Sequence, residues 1–196
     1  MIYGATEFGG SANYGTIFSL APPTQPGGAW TETVLYNFAG DTDGANPEGV
    51  VLGPGGVLYG ATSKGGIPNQ CGRINGGCGT VFSLTSPGAP GGGWTESVIH
   101  RFVENGPALP GGGVLLGPGG TLMGVGTLGE GTVYALLPHP GAGGQWPLVE
   151  LFALNCDTGP CYTGGGLLLD GTTLFGISGG GTLNGGTVYS LTPPAN

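Results

Sequence analysis

Carboxylates and amides are concentrated in one short stretch of this 196-residue chain, GDTDGANPEG at 40–49. Asp41, Asp43, Asn46 and Glu48 put four hard oxygen donors within eight residues, and Gly44 permits a sharp turn among them. Two chemistries suit that spacing. One is a calcium site. The other is an Asx-type turn, whose side chains accept from their own backbone N–H groups. The flanking helices and late glutamate of an EF-hand are absent. The corresponding stretches ENGPALPGG (104–112) and NCDTGPCYTGG (155–165) lose most of the carboxylates, so any such site is single. A bound calcium would polarise a carbonyl and acidify a water, with Glu104, Glu130 or Asp157 as the base. That would make a lactone- or ester-directed hydrolase.

Other catalytic chemistries have little support. His100 and His139 are the only histidines, too few for a three-histidine zinc site and little support for a Ser-His-Asp triad. His100 sits inside an apolar strand beside Arg101, and His139 between Pro138 and Pro140, which reads as loop. There is no phosphate-binding G-x-x-x-x-G-K-[ST] loop. Neither a nucleotide nor a zinc cofactor is expected. Cys71 with Cys78, and Cys156 with Cys161, form two close pairs in Gly/Asn/Pro-rich loops. Their spacing is not C-x2-C and no histidine lies near, so two local disulfides are expected rather than metal sites. That places the chain in an oxidising compartment.

With 3 Lys+Arg against 11 Asp+Glu, the net charge of −8 excludes nucleic-acid binding and disfavours acidic membranes. No apolar run is long enough for a membrane-spanning helix, and residues 2–6 read as a strand, not as a secretory leader. The 48 Gly and 17 Pro would suggest disorder, but 38% of residues are hydrophobic, enough for a core. The Gly and Pro must punctuate buried segments.

The elements that position these residues repeat. IYGAT (2–6), LYGAT (58–62), LMGVG (122–126) and LFGIS (174–178) are one motif. GTIFSL (15–20), GTVFSL (79–84), GTVYAL (131–136) and GTVYSL (186–191) are a second. WTETVLYNF (30–38), WTESVIHRF (94–102) and WPLVELF (146–152) are a third; GVVLGPGG (49–56), GVLLGPGG (113–120) and GLLLDG (166–171) a fourth. The Gly of the GT motif recurs after 64, 52 and 55 residues. Each segment is strand-like, rich in Val, Leu, Phe, Tyr and Thr between Gly and Pro, and almost no helix is expected.

Four antiparallel strands in about 50–60 residues describe a β-propeller-like blade. The long link at 39–49 suits the passage from an outer strand to the next inner strand. Blade order is then GVVL, LYGAT, GTVFSL, WTETVLYNF, and the chain holds three strands, two full blades and three more strands. This is one all-β repeat domain over 1–196, about 3.5 repeats, with units near 1–48, 49–112, 113–164 and 165–196. A small four-blade ring is the simplest closure. A fragment of a larger ring, or a ring completed by a second chain, is the alternative.

This phase puts nearly all charge on one rim. The outer-to-inner loops carry Asp41, Asp43, Asn46, Glu48, Glu104, Asn105, Asn155 and Asp157; the second-to-third loops carry Glu7, Lys64, Arg73, Glu130 and Asn184. That rim is the expected functional face. Trp30, Trp94 and Trp146 open the outer strands, where they could stack sugars or pack between blades.

The pattern LYGAT…GTVFSL…WTETVLYNFxGxxDGxxPxGVVL resembles the GloVer-type (Gloeobacter/Verrucomicrobia) tandem repeat of bacterial secreted and surface-anchored proteins. The phrase GVVLGPGGVLYG is also similar to the inner half of blades in NHL-type and lactonase-type propellers. The resemblance covers the whole chain and implies an extracellular or cell-surface location. It implies no activity and no catalytic residues. The expected function is a binding or scaffold module for a small molecule or glycan, with the calcium-dependent hydrolase as the alternative. The terminal strands IYGAT and GTVYSL, apolar and without a protective Lys, are expected to self-associate.

Overall fold

The computed structural model describes residues 1–71, 76–89, 92–129, 131–139, 144–155, 160–163, 165–180 and 185–192; for 160–163 and 180 it describes the backbone alone. It is all-β, with four antiparallel sheets in chain order. The first joins β1 (Ile2–Thr6), β2 (Thr16–Ala21) and β3 (Thr31–Asn37). The second joins β4 (Ala45–Leu52), β5 (Leu58–Lys64), β6 (Thr80–Thr85) and β7 (Thr95–Arg101). The third joins β8 (Pro110–Leu116), β9 (Leu122–Gly126), β10 (Thr132–Leu136) and β11 (Leu148–Ala153). In the fourth, β14 (Thr173–Gly180) pairs with β15 (Thr187–Leu191) on one edge. On the other edge it pairs with β12 (Pro160–Thr163) and β13 (Leu168–Asp170).

The strands therefore number three, four, four and four; the last sheet has one more than the repeat phase predicts because its inner strand is divided in two. The division has a counterpart upstream: β4 shifts register between Pro47 and Gly49, and β8 between Gly111 and Val114. These irregularities carry the inner strands back to Ala45 and Pro110, ahead of the GVVL and GVLL segments. The GPGG links form 3-10 turns at Pro54–Gly56 and Pro118–Gly120, the helical elements among the described residues.

Strict alternation along WTETVLYNF does not hold, and the reason is local. Ile17 pairs with Tyr36 and Phe18 with Val34, so Leu35 is an extra residue. The same bulge occurs at Ile99 and at Leu151. A bulge turns neighbouring side chains to one face, and Leu35 and Tyr36 both pack in the core.

One cross-strand pair recurs in every sheet. Gly4 faces Phe18, Gly60 faces Phe82, Gly124 faces Tyr134 and Gly176 faces Tyr189. The aromatic ring covers the glycine: a Cβ on Gly4, Gly60 or Gly124 would lie 2.5 Å from the ring or its hydroxyl, and one on Gly176 would strike Tyr189. The covered ring is then buried by the neighbouring sheet. Phe38 meets Phe82 edge-on at 5.1 Å, and Phe102 meets Tyr134 at 5.2 Å.

Three apolar clusters result, one between each pair of consecutive sheets. Ile17, Phe38, Leu58 and Phe82 join the first to the second. Val81, Phe102, Leu122 and Tyr134 join the second to the third. Val125, Val133, Leu174 and Tyr189 join the third to the fourth. Among the described residues, apolar side chains on the outward faces of the first and fourth sheets remain exposed, Ile2 on the one and Ile177 and Val188 on the other. Trp94 packs on Tyr3 and Trp146 on Tyr59, with ring centres 6.4 and 6.2 Å apart, which assigns these two tryptophans to packing between sheets.

Gly60→Ala tests the ring-over-glycine pair. The new methyl meets both the Phe82 ring and the Gly49 carbonyl, 2.6 Å away. The expected cost is at least about 2–3 kcal/mol, a fall in Tm of roughly 5–10 °C. Tyr134→Phe is expected to act in the opposite sense. The Tyr134 hydroxyl is buried with no hydrogen-bond partner, and the equivalent residues of the first two sheets are already Phe18 and Phe82. Thermal melts of both variants decide it: an unchanged Tm in Gly60→Ala, or a lower one in Tyr134→Phe, refutes the account.

Candidate functional site

The repeat phase predicts that outer-to-inner and second-to-third loops share a rim, and the hydrogen bonds join them there. The Asn46 N–H donates to the Tyr14 carbonyl at 2.9 Å, and the Leu109 N–H to the Cys78 carbonyl at 2.9 Å. Both donors have positive φ, 56° and 55°, and each precedes a proline. Pro47 packs against Gly15, and Pro110 against Gly79, where a Cβ would lie 2.7 Å from the ring. Gly15 and Gly79 also have φ of 98° and 91°, so the GT motif requires glycine on both counts. Leu109 reaches this conformation without glycine or asparagine because its amide is held.

Within the acidic loop, Asp43 is turned inward onto backbone. Its Oδ2 accepts from the Ala39 N–H at 2.8 Å and from the Tyr36 hydroxyl at 3.1 Å, and its Oδ1 from the Asp41 N–H at 3.3 Å. Asn46 is buried, its Nδ2 donating to the Glu7 carbonyl at 3.2 Å. Asp41 and Glu48 point to solvent. The Asp41 carbonyl ties the next loop, accepting from the Gly66 N–H at 2.9 Å. The loop thus has the self-capping hydrogen bonds of an Asx-type turn. Among the described residues, no three Asp, Glu, His or Cys side chains gather around a position able to hold an ion. Glu104 lies exposed in a turn after β7. Glu130 and Asp157 lie outside the described residues.

Where these loops meet, a groove of about 500 Å³ opens between the first two sheets. Phe8, Asn13, Tyr14, Asn46 and Lys64 line it. Both rings are substantially exposed, and the Tyr14 ring rests on Gly40. A smaller hollow of about 180 Å³ adjoins it, sharing Gly40 and Gly76 and edged by Asp41 and Asn69. Lys64 is the only lysine of the chain. The groove therefore offers two aromatic faces, two side-chain amides and one cation. The charge pattern located this rim; Phe8 and Tyr14 carried no sequence signal, because loop aromatics become a pair only once two loops are brought together.

A second polar cluster lies on the outer side of the same interface. Glu96, on β7, is half-buried and its Oε1 has no hydrogen-bond partner. Burial, then the Asp43 charge, pushes its carboxyl up to about 7, against the pull of Arg101. Burial and the charges of Asp43 and Glu96 also raise the Tyr36 phenol. The Arg101 Nη2 donates to the Thr42 carbonyl at 3.3 Å. An isolated glutamate in a strand reads as surface, and the one sequence signal for Glu96 is the recurrence of the residue at Glu32 and Glu96. His100 is structural, as expected: its Nδ1 lies 3.1 Å from the Trp146 carbonyl, and burial lowers its pKa. His139 is exposed.

Cys71 and Cys78 are joined as expected and both are buried. The bridge closes the second-to-third loop of the second sheet beneath the rim. Cys156 lies outside the described residues, and of Cys161, in β12, only the backbone is described, so the expected pairing of the two falls outside the described side chains.

Two predictions come from this region. Glu96 carries a pKa raised on folding from 4.5 to about 7, so the folded chain holds a proton that the unfolded chain has released. Its contribution to stability is then complete below pH 4.5, is lost as pH rises to about 7, and is flat beyond. Glu96→Gln is expected to flatten the Tm profile in that window and to raise Tm above it; an unaltered profile refutes the burial of Glu96. Non-reducing peptide mapping is expected to recover the Cys71–Cys78 bridge, and a cross-link from either cysteine to 156 or 161 contradicts it.

The family model of the Gloeobacter/Verrucomicrobia repeat matches residues 1–196. No curated protein and no solved structure matches the chain. The match spans every strand and each of the four sheets, and the chain belongs to the Gloeobacter/Verrucomicrobia repeat family.

Proposed function

We propose that this protein is a non-catalytic binding or scaffold module working outside the cytosol, and that its ligand is a neutral glycan held in the rim groove. The observation that carries this reading is the exposed pair Phe8 and Tyr14 beside Asn13, Asn46 and Lys64 in a groove of about 500 Å³. Aromatic faces suit the C–H face of a sugar ring, and amides and an ammonium suit its hydroxyls. The loops beneath are tied by backbone hydrogen bonds, so the groove is formed before ligand arrives and little ordering is needed on binding. The net charge of −8 weighs against an anionic ligand. The Cys71–Cys78 bridge supports an oxidising compartment, and no described helix is long and apolar enough to cross a membrane.

Titration calorimetry with neutral gluco-, xylo- and galacto-oligosaccharides tests the reading. Saturable binding is expected, weakened about tenfold, or ~1.4 kcal/mol, by Tyr14→Ala and by Lys64→Ala, with Tm little changed. Absence of binding by the whole panel, or binding indifferent to Tyr14, refutes it.

One observation favours a second reading, an ester- or lactone-directed hydrolase. The Glu96 carboxyl, near neutrality beside Asp43 and Tyr36, has the acidity of a general acid or base. Hydrolysis of an aryl ester that is abolished in Glu96→Gln would support that reading over the first.

A further inference from the structure

The three internal interfaces are built from the same register positions, and these positions are uncovered on the two outermost sheets. On the face turned to the preceding sheet, Leu58, Phe82 and Leu84 are fully buried, as are Leu122, Tyr134 and Leu136. The first sheet carries Ile2, Phe18 and Leu20 at those positions, paired in the same register. There Ile2 is 52% exposed. On the face turned to the following sheet, Ile17, Val81 and Val133 are fully buried, whereas their counterpart Val188 is 75% exposed. Ala61 and Val125 are buried, whereas their counterpart Ile177 is 53% exposed. Leu168, Phe175, Ile177 and Val188 together edge a hollow of about 410 Å³ on the fourth sheet.

The tryptophans follow the same rule. Trp94 packs on Tyr3 of the preceding sheet, and Trp146 on Tyr59. Trp30 opens the first sheet and is 50% exposed, and no sheet of the described residues covers it. The residue that would receive it, equivalent to Tyr3 and Tyr59, is Phe175. The two bare faces are therefore complementary halves of an interface that the molecule already forms three times. Glu32 lies on the first of these faces, at the register of Glu96, which the internal interface accommodates.

We infer that the occupant of each bare face is a second copy of this chain. The fourth sheet of one copy stacks on the first sheet of the next, in the geometry of the internal interfaces, with Trp30 of one copy on Phe175 of the other. The contact joins two different faces, so it is heterologous. Each copy added leaves one bare face of each kind, and the assembly grows until a ring closes. This goes beyond the expectation of edge pairing by the terminal strands, because it is the sheet faces that associate. It is independent of the rim groove.

Light scattering and sedimentation of residues 1–196, from about 1 µM to about 1 mM, test it. The wild-type mass is expected to rise above that of one chain with concentration. Ile2→Glu with Trp30→Ala on the first sheet, and Ile177→Glu with Val188→Glu on the fourth, are each expected to weaken association at least tenfold. An equimolar mixture of the two variants is expected to form a species of two chains, because each supplies the face that the other lacks. Circular dichroism checks the fold of each variant, and Ile177→Thr with Val188→Thr replaces the glutamate pair should that one not fold. A single-chain mass at every concentration overturns the proposal, since the faces are then closed within one chain or left bare. Association unaffected by either variant, or a mixture that stays monomeric, overturns it as well.

Discussion

An aromatic ring laid across a glycine on the neighbouring strand is the contact on which the rest of this structure depends. In all four sheets the glycine belongs to the YGAT-type strand and the ring to the GTVFSL-type strand. The glycine has no side chain to hold the ring off, so the ring lies against the sheet instead of standing away from it. A flattened ring gives the preceding sheet a continuous apolar surface to pack on. The buried edge-on contacts from Phe38 to Phe82 and from Phe102 to Tyr134 follow from that placement. The stacking distance between sheets is thus set by a pair within one sheet, which is why the chain can repeat it with varied loops.

The rim is organised by a second recurring tie. The residue after each outer strand returns its N–H to the GT glycine: Phe38 to Gly15 at 3.1 Å, Phe102 to Gly79 at 3.1 Å and Leu154 to Gly131 at 3.0 Å. Two of these glycines, Gly15 and Gly79, also receive a proline of the next inner strand, Pro47 and Pro110. A chain with 14 charged residues has few ion pairs to draw on, and among the described residues it is backbone amides and threonine hydroxyls that hold the loops. Thr62 and Thr80, both buried, share a hydrogen bond of 2.9 Å beneath the acidic loop. Asp43 extends that network. Its carboxylate accepts from Tyr36 at the end of β3 and from Ala39 and Asp41 of its own loop, so the most conspicuous acidic residue in the sequence is engaged in folding.

Groove and assembly face both arise where the repeat is broken. The groove exists because the loops of the first two sheets, unlike those further along, combine Phe8 and Tyr14 with Lys64. The bare faces exist because the sheets at either end have a neighbour on one side only. A repeat protein satisfies its apolar surface by adding neighbours, so the same contacts that stabilise the interior specify what can dock at the ends.

Legible in the residues alone were the strand motifs, the phase of the repeat, the family, the Cys71–Cys78 pairing and the sharing of one rim by the polar loops; the division of the last inner strand was not. Each of these rests on short-range signals: strand segments bounded by glycine, motifs recurring at 50–60 residues, and a cysteine spacing too short for other partners. Contacts between loops and between sheets set the rest. Whether Asp43 faces solvent or its own backbone depends on Tyr36 and Ala39 meeting it across a loop. How deeply Glu96 is buried depends on two sheets meeting over it, whereas Glu32, in nearly the same local sequence, is exposed. Val188 and Val133 are the same residue in the same motif, yet one is exposed and the other buried. Local sequence encodes what a residue can pack against, and only the stacking of the sheets decides whether anything is there.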